Sequence, residues 1–178
     1  MEFQLTEVAM TYNMPTHQLK IRTALPADAA IICEFIVELA AHEGRPELAT
    51  ITPDCLRGLL FGDRALAEAH LGYVGGKCVA FAIVAERFSS FRGTRLLYVE
   101  DMLVLREYRG GGTGKQFWAF LARRAEELGC ERMEWSALDD NDVALGFYDR
   151  MEAERERGVV HFSLRGDFFE NLKRFGNE

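Results

Sequence analysis

Hydrophobic and polar positions along the chain follow two alternating periods. Short apolar or alternating runs predict six strands, at 19–24, 70–74, 77–87, 95–105, 131–138 and 159–165. Apolar residues at helical spacing predict five helices, at 26–44, 52–61, 113–128, 141–150 and 167–175. The order begins strand, helix, helix, and the same mixture of elements continues to the end of the chain.

Connections between these elements predict how the strands pair. Gly75-Gly76 lies between two strands and predicts a tight antiparallel hairpin, and Gly93-Thr94 predicts a second one. The helix at 113–128 separates two strands, so these two should lie parallel. The fold class is therefore α/β (α+β), with a mixed sheet and helices on both faces.

Length and composition predict one domain. The chain has 178 residues and 48% hydrophobic content, enough for one buried core and little for two. Residues 1–18 lack periodicity and are expected to form a loosely attached, disordered N-terminal extension before a single domain at 19–178.

Charge and cysteine usage exclude several function classes. A net charge of -7 argues against nucleic acid or an anionic membrane as the partner. No apolar run is long enough to cross a bilayer, and the four cysteines are single, without metal-ligand spacing. We therefore expect a cytoplasmic protein without a metal.

A glycine-rich stretch follows the strand at 95–105. It differs from a phosphate-binding P-loop, since Arg109 replaces the first glycine and Gln116 replaces the hydroxyl residue, and the GxGxxG fingerprint fails at Lys115. Glycines between a strand and a helix still leave backbone N–H groups open to an anion at the positive end of the helix. The residues alone predict a diphosphate cradle, or otherwise a tight connection.

The motif at 109–114 resembles the R/Q-x-x-G-x-G/A motif of the GNAT acetyltransferase superfamily. "ELAAHE", "LLYVEDMLVLREYRGGGTGKQF" and "NDVALGFY" are similar, in order and spacing, to the spermidine/spermine and thialysine N-acetyltransferase branch. The resemblance spans about residues 19–172. It implies a mostly antiparallel central sheet in which a parallel strand pair is splayed at the coenzyme site.

The resemblance also implies a cosubstrate, acetyl-CoA, and the residues that bind it. These are the strand backbone and the glycine loop, together with one asparagine: Met102, Leu103, Val104, Arg109, Gly110, Gly111, Gly112, Thr113, Gly114 and Asn141. Asn141 is equally suited to cap a helix.

Catalytic and acceptor-binding roles follow from the same resemblance. Tyr148 is the expected general acid toward the leaving thiolate. Glu100 is the expected general base, and Asp101 and Glu43 are expected to bind a cationic amine. On an unbroken strand Glu100 and Asp101 would point to opposite faces, so that one of them can face the acceptor.

The implied activity is direct acetyl transfer to a primary amine of a small cationic acceptor, such as a polyamine, thialysine or a lysine-like compound. Acetylation of a protein N-terminus or lysine, and a silent acyl-CoA-binding regulatory module, are the alternatives. Asp140, Glu152 and Val159 depart from the branch's usual residues and put the acceptor's identity in question. The branch also implies a homodimer.

Overall fold

The structure, a computed structural model, describes residues 18–156, 158–164 and 166–174. The expected extension at 1–18 therefore lies, except for Gln18, outside the described residues. The chain divides into two compact units, Met1–Leu138 and Asp139–Glu178.

A five-stranded sheet forms the first unit, in the order β1-β2-β3-β4-β5. The strands are β1 (Lys20–Thr23), β2 (Glu68–Val74), β3 (Lys77–Ser89), β4 (Thr94–Val104) and β5 (Cys130–Trp135). β1 to β4 pair antiparallel, and β4 and β5 are parallel. The mixed sheet and its single parallel pair are confirmed.

Three helices belong to the same unit: α1 (Ala29–His42), α2 (Pro53–Phe61) and α3 (Thr113–Glu127). The Thr52 hydroxyl accepts a hydrogen bond from the Cys55 amide at 3.2 Å and begins α2, as predicted. α3 is the crossover that makes β4 and β5 parallel.

The two sheet faces are covered by different helices. On one face α1 and α2 bury a core with the sheet that includes Ile32, Phe35, Leu56, Leu60, Leu71, Phe81, Ile83 and Leu103. On the other face α3 brings Phe120 edge-on to the buried His70, with ring centroids 5.0 Å apart. A Cβ on Gly72 would lie 3.0 Å from Phe117, so this close approach of α3 to the sheet requires glycine.

A β-bulge interrupts β4 at Glu100. Asp101 pairs with Ile83, whereas Val99 pairs with the next β3 residue, Val84, so Glu100 is the extra residue. Asp101 therefore shares the face of Ile83, toward α1, and Val99 takes the opposite face. The strict alternation expected at Glu100 and Asp101 does not run through this point.

The second unit contains α4 (Asp142–Asp149) and α5 (Asp167–Arg174). The strand predicted at 159–165 is wrong for its described part, 159–164, which contains no strand. Its apolar side chains are exposed, Phe162 at 92%. Alternating hydrophobicity produces a strand only where a neighbouring strand accepts its backbone hydrogen bonds.

Candidate functional site

The parallel strands separate at the centre of the first unit. The β4·β5 register ends at Val99 opposite Trp135, and β4 continues to Val104. Met102, Leu103 and Val104 keep their pairing to β3 and have no β5 partner among the described residues. Part of the β4 backbone is thus open on one side, as the resemblance implies for a coenzyme strand.

Side chains on both strands support the point of separation. The Tyr98 hydroxyl lies 2.9 Å from the Ser136 hydroxyl, directly beyond the end of β5. Trp118 of α3 packs on Trp135, with ring centroids 4.5 Å apart. These contacts fix where β5 leaves β4.

The glycine loop leads from the end of β4 to α3. Gly110 and Gly112 have φ angles of 81° and 87°, in the left-handed region that favours glycine. The first helical hydrogen bond runs from the Gln116 amide to the Gly112 carbonyl at 3.0 Å. The amides of Thr113, Gly114 and Lys115 therefore precede the helical ladder and have no acceptor in it.

The space next to Gly110 and Gly111 is open and suits an anion. A Cβ on Gly110 or Gly111 would meet no atom within 4 Å, so the loop backbone is open on this side. Free amides at the positive end of a 15-residue helix bind phosphate oxygens well. The loop fits the diphosphate predicted from its sequence.

Arg109, the first residue of the motif, has a second role that the sequence does not reveal. Its Nε donates to the Val104 carbonyl oxygen at 2.7 Å, and its Nη1 lies 3.3 Å from Nε2 of His42, the last residue of α1. The side chain thus connects the loop to the ends of β4 and α1.

Three carboxylates interact near the bulge. Burial raises the pKa of Asp101 to about 6, and the charges of Glu100 and Glu43 contribute to the same shift. Glu43 directly follows α1, and Glu100 is 59% exposed. The charges of the three acidic residues predicted from sequence therefore act on one another, and Asp101 is less exposed than Glu100.

Arg87 of β3 is a cation beside Glu100, and sequence reasoning missed it. Its guanidinium lies 3.3 Å from the centroid of the Tyr98 ring, and its Nη2 is 3.9 Å from the Glu100 carboxylate. Only the pairing of β3 with β4 brings these residues together, and that register cannot be read from local spacing.

The second unit contains Asn141, predicted as a coenzyme contact or helix cap, and Tyr148, predicted as the general acid. The Asn141 side chain accepts a hydrogen bond from the Ala144 amide at 3.1 Å and caps α4, so the helix-cap interpretation is confirmed. Tyr148 lies in the last turn of α4, half-buried, with its ring 5.7 Å from that of Phe147.

An unusual turn ends α4. The Ala153 amide donates to the Tyr148 carbonyl and the Glu152 amide to the Asp149 carbonyl, both at 3.1 Å, which is a Schellman motif. Glu152 occupies its left-handed position with φ 59°, where glycine is usual. The departure noted at Glu152 in the sequence thus falls on a strained residue.

The described part of the chain lacks both a metal-ion cluster and a membrane-spanning helix. It contains no cluster of three or more His, Cys, Asp or Glu side chains arranged to hold a metal ion. In the same residues no helix has the length and apolar character needed to span a membrane.

Comparison with known proteins gives consistent results. The family model described as "Acetyltransferase (GNAT) family" matches residues 34–152. Thialysine N-epsilon-acetyltransferase of Bos taurus is 31% identical over 142 residues, covering 75% of this chain and 83% of the relative. The Sus scrofa protein of the same name is 30% identical over 163 residues, covering 85% and 95%.

Among solved structures, an integron cassette protein from the mobile metagenome of V. cholerae superimposes with a TM-score of 0.73. It is 21% identical and covers 88% of this chain and 98% of its own. At this identity the likeness concerns the fold alone.

Proposed function

The chain belongs to the acetyltransferase (GNAT) family and is an acetyl-CoA-dependent N-acetyltransferase, and we propose that its acceptor is the primary amine of a small cationic molecule. Thialysine, a lysine-like amino acid or a polyamine are the candidates. The observation that carries the proposal is the group of three carboxylates beside the bulge at which β4 separates from β5. The names of the two thialysine-acetylating relatives support the same class of acceptor.

Coenzyme binding is assigned to the loop and the open strand. The amides from Gly110 to Lys115 suit the diphosphate, because three of them precede the helical ladder and the space at Gly110 and Gly111 is open. The backbone of Met102 to Val104 has no described β5 partner, although the Val104 carbonyl accepts from Arg109, and it suits the pantetheine amides, which need hydrogen-bond partners of this kind. Acetyl-CoA supplies the acetyl group as an activated thioester.

The acceptor must lose a proton before it attacks. An aliphatic amine has a pKa of about 10.4 and arrives charged near neutral pH. Asp101 and Glu43 provide negative charge that holds this ammonium group. Glu100 is solvent-exposed, so it can take the proton and pass it to water, and we assign it as general base.

Asp101 is a second candidate for the base. A carboxylate whose pKa is raised to about 6 accepts a proton more readily than an ordinary one. Separate substitutions distinguish the two assignments: Asp101→Asn should mainly raise KM if Asp101 holds the amine, and should mainly lower kcat if it takes the proton.

Tyr148 is assigned as the general acid that protonates the leaving thiolate. Unperturbed phenol and thiol pKa values are about 10 and about 8.5, so the transfer is feasible in both directions. The half-buried position at the end of α4 restricts the ring and supports a positioned donor. Asn141 caps the same helix and keeps its role as a proposed coenzyme contact.

The test is thiol release from acetyl-CoA with a panel of amines and short peptides. We expect a small amine to be the best acceptor and Tyr148→Phe and Glu100→Gln each to lower kcat by about 100-fold or more, with acetyl-CoA affinity retained. Glu126→Gln, at an exposed residue in the last turn of α3, is the matched control.

Two results would contradict this assignment. Full activity in both Tyr148→Phe and Glu100→Gln would remove the catalytic roles, and turnover of peptides alone would replace the acceptor class. A homodimer remains a proposal that rests on the resemblance; light scattering should return twice the 20.2 kDa chain mass.

A further inference from the structure

Arg87, near the end of β3, stacks on an aromatic ring of the neighbouring strand β4. Its guanidinium lies on the Tyr98 ring at 3.3 Å from the centroid, and the Tyr98 hydroxyl is itself held by Ser136 at 2.9 Å. A guanidinium stacked in this way keeps its N–H donors at the edge, where they can bind a carboxylate with two parallel hydrogen bonds.

The neighbouring Glu100 does not use these donors. The Arg87 Nη2 and Glu100 Oε2 atoms are 3.9 Å apart, which is beyond hydrogen-bond distance. The two side chains are 52% and 59% exposed, and exposed ion pairs of this kind contribute little stability. Within the part of the chain that the structure describes, Arg87 makes no side-chain hydrogen bond, so its donors are available to a ligand.

Arg87 and Asp101 share one face of the sheet. Asp101 pairs with Ile83, and Arg87 follows Ile83 by four residues on β3, so the pleat turns both side chains to the face of Asp101. Four residues separate their Cα positions by roughly 13 Å along the strand. The Arg87 side chain spans part of this distance toward Glu100. A half-buried carboxylate and an exposed guanidinium therefore lie on one face at a separation that the length of a small amino acid can span.

We propose that Arg87 binds a carboxylate on the acceptor, so that the enzyme prefers the side-chain amine of a free amino acid to a diamine or polyamine of the same length. This inference rests on the proposed function and specifies its substrate. An amino acid such as lysine presents an ammonium group to the acidic residues and its α-carboxylate to Arg87. A diamine would bring its second ammonium group toward Arg87 without a carboxylate beside it, and Arg87 repels that uncompensated charge.

The test compares acceptors that differ only in the carboxylate. Wild-type kcat/KM should be at least about 10-fold higher for L-lysine than for cadaverine, and higher for L-ornithine than for putrescine. Lysinamide, which keeps the chain but loses the negative charge, should behave like cadaverine. Arg87→Gln should lower kcat/KM for lysine by about 10- to 100-fold through KM and should raise it for cadaverine, because the repelling charge is gone.

Arg123→Gln is the matched control, since Arg123 is an exposed arginine of α3, the helix on the opposite sheet face. It should leave the lysine-to-cadaverine ratio unchanged. Equal use of lysine and cadaverine by the wild type, or an equal loss for both in Arg87→Gln, would overturn the role of Arg87 while leaving amine acetylation intact. Absence of turnover with every amine would contradict the proposed function itself, and this inference with it.

Discussion

The Arg109 Nε donates a hydrogen bond to the Val104 carbonyl oxygen at 2.7 Å, and the same guanidinium lies 3.3 Å from the His42 ring nitrogen. One side chain thereby joins the start of the glycine loop, the end of the open strand and the end of α1. The backbone of Arg109 belongs to the loop assigned to the diphosphate, so its side chain fixes the position of the amides that follow.

Arg109→Ala should therefore weaken coenzyme binding. We expect KM for acetyl-CoA to rise about 10-fold with a smaller change in kcat, since a charge-assisted hydrogen bond is worth about 1.5–3 kcal/mol and part of the loop remains. Steady-state kinetics with varied acetyl-CoA measures the effect. Arg106→Ala, an exposed arginine three residues earlier, is the control. An unchanged KM would show that the loop holds its shape without this side chain.

Substitutions at two adjacent glycines should distinguish the contribution of the loop to stability from its contribution to coenzyme binding. Gly112 has φ 87°, so Gly112→Ala should lower the free energy of unfolding by about 1 kcal/mol. Gly111 has no positive φ and open space around its Cβ position, so Gly111→Ala should leave stability nearly unchanged. Denaturant unfolding of both variants measures the difference.

Coenzyme affinity completes this comparison. The methyl group in Gly111→Ala enters the space where the diphosphate is assigned, and we expect acetyl-CoA affinity to fall although the fold is intact. Calorimetry gives the dissociation constant directly. Unaltered affinity in Gly111→Ala would place the diphosphate elsewhere.

Asp101 should reduce stability at neutral pH. Its pKa is about 6 in the folded protein and 3.8 as an ordinary aspartate, so the folded state binds the proton more tightly. Stability therefore falls as pH rises from about 4 to 6, and the loss is complete above that range. Asp101→Asn removes the buried charge and should raise the free energy of unfolding by about 1–2 kcal/mol at pH 8, with little change at pH 4.

Activity should rise with pH over the range in which stability falls. Asp101 must be ionised to hold a cationic amine, so kcat/KM should increase with pH through about 6, and Asp101→Asn should lose this limb together with most of its activity. Asp63→Asn, on the exposed connection after α2, is the control for both measurements. A stability of Asp101→Asn equal to wild type at pH 8 would contradict the burial of this carboxylate.

The parts of the fold that the sequence predicts are those encoded by strong local patterns. β2 and β3 with their Gly75-Gly76 turn, β4, and α3 as a crossover all follow from periodicity and glycine position. The strand predicted at 159–165 fails because the sequence shows alternation but not whether a neighbouring strand is available. The bulge at Glu100 is not predicted for a related reason, since the extra residue is defined only by the register with β3.

The same distinction applies to the site. The glycine loop and the carboxylates are visible as residue types at recognisable places. The contacts of Arg109 with His42 and of Arg87 with Tyr98 join residues 67 and 11 positions apart, so only the folded chain reveals them. The greater burial of Asp101 relative to Glu100 likewise depends on the bulge and on α1.

Glu152 supplies a prediction that concerns stability alone. Its φ of 59° at the end of α4 places a Cβ atom where glycine is unstrained, and left-handed backbone costs a non-glycine residue about 1–2 kcal/mol. Replacing Glu152 with glycine relieves this strain, but part of the stability gained is lost because glycine adds freedom to the unfolded chain. Glu152→Gly should therefore raise the free energy of unfolding by about 0.5–1 kcal/mol, or the melting temperature by about 1–4 °C.

Glu154→Gly is the matched control two residues later. Glu154 is exposed and, among the described residues outside glycine, only Glu152 has a positive φ, so glycine at 154 relieves no strain and should lower stability by a few tenths of a kcal/mol. Opposite signs for the two variants in thermal unfolding would establish the strain at Glu152. If both variants lost stability, only the added freedom of glycine in the unfolded chain would be acting. The Schellman turn, with its hydrogen bonds to Tyr148 and Asp149, would then accommodate glutamate without strain.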